Sequence, residues 1–315
     1  MTKETTMSFF EKHVGRIENW CGAKIGVSAT HIPSMQQINY NADEQFLLCS
    51  TYKIPIVTCI LKMHEAQQVD LAELIEVHDY DLRLGMVCTL NQLNYSTPVK
   101  FSILNLIQFT LQESCNSATD LLLKRIGGPA VVMKMLANYG IESLRVDRYT
   151  LESLADEDGI REFIPSNLHC TLEQYKLLLN NSPKEQLSQI RAALFAQLLD
   201  HGSPNGVNHL LQKIVQNEIL NENSVEILYK IMQRCKTGPS RIMGILPPNT
   251  RVSHKTGSLN GYFVHDAGII HLSDDPQNKI TLAIFTKSDN KPVAITERAI
   301  ADIARTVFDY FQSLF

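Results

Sequence analysis

The chain changes character at one stretch, Phe46-Leu47-Leu48-Cys49-Ser50-Thr51-Tyr52-Lys53-Ile54-Pro55. Before this stretch, Lys24 to Ile32 and Ile38 to Asn41 look like two short strands. After it, from about Ser50 to Tyr229, apolar residues recur at intervals of three and four, which predicts helices. The stretch therefore marks the place where a predicted sheet gives way to a helical region, and a serine lies at that place.

Strands return near the C-terminus, and their return decides the fold class. They are predicted at Arg251 to His254, Val264 to Leu272 and Lys279 to Lys287, before an amphipathic helix from Pro292 to Phe311. Because strands occur at both ends and helices lie between them, we expect both ends to share one sheet. The sequence predicts an α/β (α+β) domain built from both termini, with an all-helical domain inserted into it.

We expect two domains, since 315 residues is about twice the usual length of one domain. The α/β domain would comprise residues 1–48 and 235–315, and the all-helical domain residues 49–234. The helical domain would carry three elements of the site, namely Ser50, Ser114 and the loop from Arg148 to Asn167. The active site is expected between the two domains.

The composition excludes several classes of partner. Hydrophobic residues make up 44% of the chain and charged residues 20%, which is ordinary for a globular protein. The net charge is -4 and no basic run occurs, which argues against a nucleic-acid partner. The longest apolar runs, such as Ala267 to Ile270, are far shorter than the roughly 20 residues of a membrane span. We expect a water-soluble protein.

The N-terminus and the cysteines bear on the compartment. Met1 to Met7 does not resemble a signal peptide, which predicts a cytoplasmic protein as the chain is written. A periplasmic or secreted protein would follow if a signal had been removed. The seven cysteines, an odd number without a Cys-x-x-Cys pair, favour reduced thiols over disulfides or a zinc knuckle. No closely spaced pair of histidines occurs, so neither a metal nor a cofactor is expected.

Ser50 and Lys53 are the first candidate catalytic pair. They lie three residues apart and would share one face of a helix. Lys53 could accept the proton of Ser50 if burial and a neighbouring cation lowered its pKa. A serine at a helix start also lies where backbone N–H groups can stabilise an oxyanion. The alternative is that Ser50 is only an N-cap.

Two further motifs follow Ser50 in the chain. Ser114-Cys115-Asn116 separates two predicted helices, and Lys255-Thr256-Gly257 lies in a predicted strand, where a cation with hydroxyls could hold a substrate carboxylate. Alone, the first motif also fits a polar turn, and the second fits an ordinary edge-strand lysine.

Two similar sequences occur elsewhere in the chain, Ser288-Asp289-Asn290-Lys291 and Lys236-Thr237-Gly238. We assign the first of these to a surface turn and the other to a helix end.

In this order, Ser-x-x-Lys, Ser-x-Asn and Lys-Thr-Gly resemble the signature of class A β-lactamases and penicillin-binding proteins. The chain resembles a class A β-lactamase from about residue 8 to its C-terminus. The resemblance includes further segments: Phe46 to Lys53, Asn116 to Leu123, Ile126 to Pro129, Thr237 to Pro247, His254 to Gly257 and Asp266 to Ile270. It implies an antiparallel sheet flanked by helices, an inserted all-helical domain, and a monomer that acts on a β-lactam or a peptidoglycan-like small molecule.

The resemblance implies a catalytic role for three residues and a substrate-binding role for a fourth. Ser50 would be the nucleophile that opens the β-lactam ring, and Lys53 its proton acceptor or relay. Ser114 would pass a proton to the leaving nitrogen. Asn116 would hold the amide side chain of the substrate.

The resemblance also implies a carboxylate-binding group. Lys255, Thr256 and Ser258 would bind the substrate carboxylate, and the backbone N–H groups of Ser50 and Ser258 would form the oxyanion hole. Arg241 matches an arginine that reaches the same carboxylate in many members of the family. The alternative for Arg241 is a solvated arginine at a helix end.

The chain departs from the family after Arg148. There the family has a glutamate, two residues after the matching arginine, that activates the water which frees the acyl-enzyme. This chain has Thr150 at that position. We expect an insertion in the loop to place Glu152 there instead, and Glu157 is a further candidate. Cys115 replaces the aspartate of the family's Ser-Asp-Asn, which predicts a less rigid turn.

We therefore predict a serine β-lactamase that acts through a covalent Ser50 acyl-enzyme. One alternative is a penicillin-binding-protein-like serine peptidase or esterase that acylates but deacylates slowly. Another is a non-catalytic binding protein on the same fold. An extra helical segment, from about Lys176 to Asn223, is expected to be a surface excursion; the alternatives are that it caps the helical domain or binds a partner.

Overall fold

The computed structural model describes residues 3–92, 98–182, 184–289 and 291–314. These residues form two compact units. The terminal unit comprises residues 1–52, 136–145 and 201–315, and the inner unit comprises residues 53–135 and 146–200. No helix in the described part of the chain combines the length and hydropathy that crossing a membrane requires.

The terminal unit is built on a five-stranded antiparallel sheet with the order β2-β1-β9-β8-β7. Its strands are β1 (Lys24–His31), β2 (Gln36–Tyr40), β7 (Val252–Leu259), β8 (Phe263–His271) and β9 (Lys279–Lys287). All five strands were predicted, and the expectation of one sheet made from both ends of the chain is confirmed. A separate two-stranded ladder pairs β3 (Phe46–Leu47) with β6 (His201–Gly202).

Both faces of this sheet are covered, because successive side chains of a strand point to opposite faces. Ile25, Val27 and Ala29 of β1 join a core that includes α1 (Lys3–Cys21) and α12 (Val293–Leu314). On the opposite face, Asn208 of α10 (Pro204–Val215) donates to Ser28 Oγ and Thr30 Oγ1, both at 2.9 Å. The helix α12 was predicted from sequence, whereas α1 was not.

These hydrogen bonds explain why the unit boundaries differ from the expected ones. Residues 201–234, which contain α10 and α11 (Glu222–Met232), belong to the terminal unit, whereas the sequence analysis assigned them to the helical domain. Polar contacts to β1 hold α10 on the sheet. The serine predicted in a turn, Ser288, lies between β9 and α12, and its Oγ donates to Gly261 O; Asn290 lies outside the described residues.

The inner unit is mainly helical. Its helices are α2 (Lys53–Glu65), α3 (Thr89–Gln92), α4 (Ile103–Gln112), α5 (Asn116–Ile126), α6 (Pro129–Asn138), α7 (Thr150–Glu157), α8 (Leu172–Asn180) and α9 (Leu187–Ala196), and the unit boundary falls within α6. The expectation of an all-helical domain is wrong in one respect. The unit contains a two-stranded antiparallel ladder of β4 (Leu74–Val77) and β5 (Val99–Ser102), since these segments pair along their whole length.

A long excursion from Arg148 to Asp200 forms part of the inner unit. Arg148 Nε lies 2.6 Å from Asp200 Oδ2, and the backbone N–H groups of Asp147 and Asp200 each donate to the carboxylate of the other residue. The excursion contains α7, α8 and α9 and has an apolar cluster of its own, in which Leu151, Ile160 and Tyr175 are buried. The loop expected from Arg148 to Asn167 is therefore the first part of a longer, largely helical segment.

Candidate active site

Ser50 lies in a short 3-10 helix, Cys49–Tyr52, that packs against β7 of the terminal unit. The backbone N–H and the Oγ1 of Thr51 both donate to Leu48 O, at 3.1 and 2.6 Å. A Cβ added at Gly257 would lie 2.8 Å from Leu48 O and 3.2 Å from Ser50 N. Glycine is therefore required at position 257, because any side chain would displace the turn that carries Ser50.

His265 holds the same turn from β8, and the sequence analysis did not identify it. Its Nε2 lies 2.9 Å from Leu47 O, and the N–H of Thr286 donates to its Nδ1 at 3.1 Å. Because a carbonyl can only accept, Nε2 carries the proton and Nδ1 has the lone pair. Burial lowers the pKa of His265 to about 3, so the ring is neutral at physiological pH.

Lys255 and Thr256 are buried on β7. Lys255 Nζ donates to Thr256 O at 2.7 Å, and burial lowers the pKa of Lys255 to about 8. Thr256 Oγ1 lies 2.5 Å from the Oγ1 of Thr237. Thr237 belongs to Lys236-Thr237-Gly238, which the sequence led us to assign to a helix end. Its hydroxyl nevertheless supplies a partner to Thr256 of the Lys255-Thr256-Gly257 motif.

Arg241 is buried and not solvated, which makes the helix-end alternative wrong. Its Nη2 donates to Ser258 Oγ at 2.7 Å, and its Nη1 donates to the carbonyl oxygens of Gly257 and His265 at 3.0 and 2.8 Å. Its Nε donates to Glu297 Oε1 at 3.1 Å. Arg241 therefore joins the two strands β7 and β8 and holds the exposed Ser258 in place.

Lys53 is fully buried at the start of α2 in the inner unit. Its Nζ donates to Ser114 O at 2.8 Å and to Asn116 Oδ1 at 2.7 Å, and lies 3.3 Å from Ser114 Oγ. The structure thus brings together three of the predicted site residues. This contact is what a proton relay between an amine and a hydroxyl needs.

The turn that carries Ser114 has an unusual backbone. Ser114 has a φ of 58°, which non-glycine residues rarely adopt and which costs free energy. Cys115 is fully buried, with its Sγ 2.6 Å from that of Cys88 and its N–H bonded to Phe109 O. Asn116 Nδ2 donates to Leu84 O at 2.8 Å. The side-chain amide of Asn116 is therefore oriented by hydrogen bonds to both its oxygen and its nitrogen.

Thr150 stands at the start of α7, where the resemblance leads us to expect a glutamate. The backbone N–H groups of Thr150 and Leu151 donate to the two carboxylate oxygens of Asp120, at 2.6 and 3.1 Å. Asp120 in turn pairs with Arg83 at 2.8 Å, and both side chains are buried. The sequence carries no local signal for this pair, because its members lie 37 residues apart.

Glu152 occupies the first turn of α7, and both of its carboxylate oxygens have partners. Oε2 accepts from the N–H of Tyr149 at 2.9 Å, as in a capping box, and Oε1 pairs with Arg161. Glu157, the further candidate, is half-buried near the end of α7, and burial raises its pKa to about 8. In the described residues, Glu152 has no hydrogen bond to Lys53, Ser114 or Asn116.

The predicted residues thus fall into two groups. Ser50, Arg241, Lys255, Thr256 and Ser258 belong to the terminal unit, and Lys53, Ser114, Asn116 and Glu152 belong to the inner unit. The residues that support these groups were not assigned a role from sequence: they are His265, Thr237, Glu297, Arg83, Asp120 and Asp200.

Comparisons with known proteins relate the whole chain to β-lactamases. The chain is 26% identical to the β-lactamase VEB-1 of Pseudomonas aeruginosa, over 94% of this chain and 89% of that protein. It is 25% identical to the carbapenem-hydrolyzing β-lactamase KPC of Klebsiella oxytoca, over 93% of this chain and 86% of that protein.

Solved structures show the same fold. A β-lactamase from Chitinophaga pinensis matches with a TM-score of 0.76 at 22% identity, covering 96% of this chain and 98% of that chain. An ancestral class A β-lactamase of Gram-negative bacteria matches with a TM-score of 0.75 at 20% identity, covering 96% and 99%. The family model described as the beta-lactamase enzyme family matches residues 10–311. The chain therefore belongs to the beta-lactamase enzyme family and has the class A fold.

Proposed function

We propose that the chain is a serine β-lactamase that opens the β-lactam amide through a covalent acyl-enzyme at Ser50. The observation that carries the proposal is the contact of the buried Lys53 Nζ with Ser114 Oγ, at 3.3 Å, three residues after Ser50 in the chain. A serine hydroxyl needs a proton acceptor to become a nucleophile at neutral pH.

Lys53 and Ser114 would move the proton. Lys53 takes the proton of Ser50 as the Oγ attacks the carbonyl carbon, and Ser114 delivers a proton to the ring nitrogen when the amide bond breaks. Their contact lets the proton pass from one to the other without entering solvent. Asn116, oriented by Lys53 and Leu84 O, would receive the amide side chain of the substrate.

The residues of β7 would bind the carboxylate of the substrate. Lys255 supplies charge, and Thr256 and Ser258 supply hydroxyl donors. Arg241 acts on the same carboxylate through Ser258, because its Nη2 holds the Ser258 Oγ at 2.7 Å. The backbone N–H groups of Ser50 and Ser258 would stabilise the oxyanion.

Release of the acyl group needs a base that activates water, and we assign this role to Glu152. A specific observation favours a second candidate function, in which the protein is acylated but deacylates slowly. Thr150 occupies the expected position, and both Glu152 oxygens are already bonded to Tyr149 and Arg161. Loss of positioned general-base catalysis costs about 10²–10⁴ in rate. The third possibility, a non-catalytic binding protein, requires that Ser50 does not react at all.

The test combines turnover with intact mass. The protein is mixed with a chromogenic cephalosporin and, separately, with a penicillin, and both hydrolysis and the mass of the protein are followed. A β-lactamase gives rapid turnover that Ser50→Ala abolishes. The matched control is Ser288→Ala, since Ser288 also precedes a lysine by three residues and should not affect turnover. A persistent adduct on Ser50 without turnover supports the second candidate, and the absence of both signals supports the third.

A further inference from the structure

Cys88 and Cys115 are in contact inside the inner unit, and the proposed chemistry at Ser50 uses neither thiol. Their Sγ atoms lie 2.6 Å apart, and both side chains are buried. The two residues are 27 positions apart in the chain, since Cys88 directly precedes α3 and Cys115 is the N-cap of α5. The contact is therefore made by the fold and not by neighbouring positions in the sequence.

Hydrogen bonds join the two segments on both sides of this contact. One residue after Cys88, the N–H and the hydroxyl of Thr89 donate to the two carboxylate oxygens of Glu113, at 2.7 and 2.8 Å. One residue after Cys115, Asn116 Nδ2 donates to Leu84 O at 2.8 Å. The two segments are thus held side by side, and the sulfur atoms can be joined without a rearrangement of the backbone.

The backbone of Cys115 is fixed as well. Its N–H donates to Phe109 O at 3.0 Å, and its carbonyl oxygen accepts from the N–H and the hydroxyl of Thr119, at 3.2 and 2.7 Å. Ser114 and Asn116 flank Cys115 and provide the side chains that contact Lys53. A covalent bond at Cys115 would therefore act directly on the turn that presents these two side chains.

We propose that Cys88 and Cys115 are a redox modification site, at which hydrogen peroxide joins them in a disulfide that locks the turn from Ser114 to Asn116. The Cys88 thiolate attacks one oxygen of the peroxide, the oxygen–oxygen bond breaks, and the hydroxide that leaves takes up the proton lost by Cys88. Cys115 then attacks the sulfur of the resulting sulfenic acid, and the sulfur–sulfur bond forms as the hydroxyl leaves with the proton of Cys115. Two thiols and one peroxide thus give one disulfide and two molecules of water.

The order of the two steps follows from the contact. The hydrogen bond between the thiols lowers the pKa of Cys88 and, together with burial, raises that of Cys115. Because the thiolate is the nucleophile, Cys88 reacts first and Cys115 resolves the sulfenic acid. Burial of both sulfur atoms favours a small oxidant such as hydrogen peroxide over a bulky one. The proposal does not depend on the reaction at Ser50.

The first experiment detects the bond. The reduced protein is treated with hydrogen peroxide, its remaining thiols are blocked with iodoacetamide under denaturing conditions, and it is digested with trypsin. Cys88 is the only cysteine of the tryptic peptide 84–100, and Cys115 is the only cysteine of the peptide 101–124. We expect these two peptides to be joined, with a mass two hydrogens below their sum, and to separate on reduction. Recovery of both peptides unlinked would overturn the proposal.

A pair of buried thiols in the same unit is the matched control. Cys59 and Cys170 lie in the tryptic peptides 54–62 and 162–176, and both peptides should remain unlinked. In Cys88→Ala the crosslink should disappear, and Cys115 should be recovered with its iodoacetamide label. Linkage of Cys115 to another cysteine of the wild-type protein, at a yield equal to that with Cys88, would contradict a specific pair. If Cys88→Ala does not fold, as judged by circular dichroism, the wild-type digest decides.

The second experiment tests the lock. Amide hydrogen exchange of the segment from Ser114 to Thr119 is compared between the reduced and the peroxide-treated protein. We expect the disulfide to slow exchange by about tenfold or more, because it opposes local opening of the turn. In Cys88→Ala, or in wild type reduced again after oxidation, exchange should return to the rate of the reduced protein. Equal rates in the reduced and the crosslinked wild type would overturn the proposed lock.

Discussion

Lys53 and Ser114 are joined twice in the inner unit: Lys53 Nζ donates to Ser114 O at 2.8 Å and lies 3.3 Å from Ser114 Oγ. The first contact binds the backbone of Ser114 while its φ is 58°. The second places a hydroxyl where it can exchange a proton with the amine. One buried lysine therefore both holds the strained turn and contacts its hydroxyl.

Replacing Lys53 should abolish most of the acylation. In Lys53→Met we expect acylation by a penicillin to slow by about 10²–10⁴, the usual contribution of a positioned general base. The measurement is the rate at which intact mass rises by one penicillin, with circular dichroism as a check on folding. Lys62→Met, on a half-exposed part of α2, is the control. An unchanged acylation rate in Lys53→Met would remove Lys53 from the mechanism.

Glu152→Gln should separate the two steps at Ser50. We expect acylation to remain within a few-fold of wild type, while hydrolysis of the acyl-enzyme slows by about 10²–10⁴. Glutamine keeps an oxygen for the N–H of Tyr149, so α7 retains its cap. Glu157→Gln tests the further candidate for the base, and we expect it to leave hydrolysis of the acyl-enzyme within a few-fold of wild type. If the acyl-enzyme decays at the wild-type rate in Glu152→Gln, Glu152 is a capping residue and another group serves as the base.

The pH dependence of substrate capture should report Lys255. Burial lowers the pKa of Lys255 to about 8, so the side chain is charged below this pH and neutral above it. We expect kcat/KM for a cephalosporin to fall as pH rises through about 8, because the substrate carboxylate loses its cation. The methyl ester of the same cephalosporin should lack this fall. Since Cys235 and Asp266 also act on Lys255, the profile is repeated in Cys235→Ser.

His265 should make stability sensitive to acid. Its pKa is lowered to about 3 in the folded protein and is near 6.5 in the unfolded chain. As the pH falls, the unfolded state therefore binds the proton first. The free energy of unfolding should decrease by about 1.4 kcal/mol for each pH unit between about 6.5 and about 3. Urea unfolding of His265→Gln should lack this part of the slope. His265→Leu should be less stable than His265→Gln by about 1–3 kcal/mol for each buried group left unbonded, Leu47 O and the N–H of Thr286.

The contact between the two ends of the segment from Arg148 to Asp200 should depend on the ion pair of these two residues. Their side chains are buried at 2.6 Å, so removing one partner leaves a buried charge and costs about 3–5 kcal/mol. We expect Asp200→Asn to lower the midpoint of urea unfolding and to expose the segment between Arg148 and Asp200 to limited proteolysis. Arg161→Gln breaks a more exposed pair and should change stability by less than about 1 kcal/mol. Equal effects of the two variants would contradict this assignment.

The sequence by itself determined the sheet and the order of the motifs. β1, β8 and β9 were predicted because strand residues alternate or run apolar over short stretches bounded by turns, a local property. α5 and α12 followed from helical periodicity in the same way. The pairing of Lys53 with Ser114 was also foreseeable, because each belongs to a motif that the resemblance to class A β-lactamases connects with the other.

Only the tertiary structure decided which polar groups support the site. Asp120 and Arg83, and Arg148 and Asp200, become partners because segments far apart in the chain are folded together, and no local pattern marks such pairs. It also paired Glu152 with Arg161 and joined Thr237 to Thr256. The physical reason is the same throughout: secondary structure depends on neighbours in sequence, whereas a buried polar group must take whichever partner the packing brings within hydrogen-bonding distance.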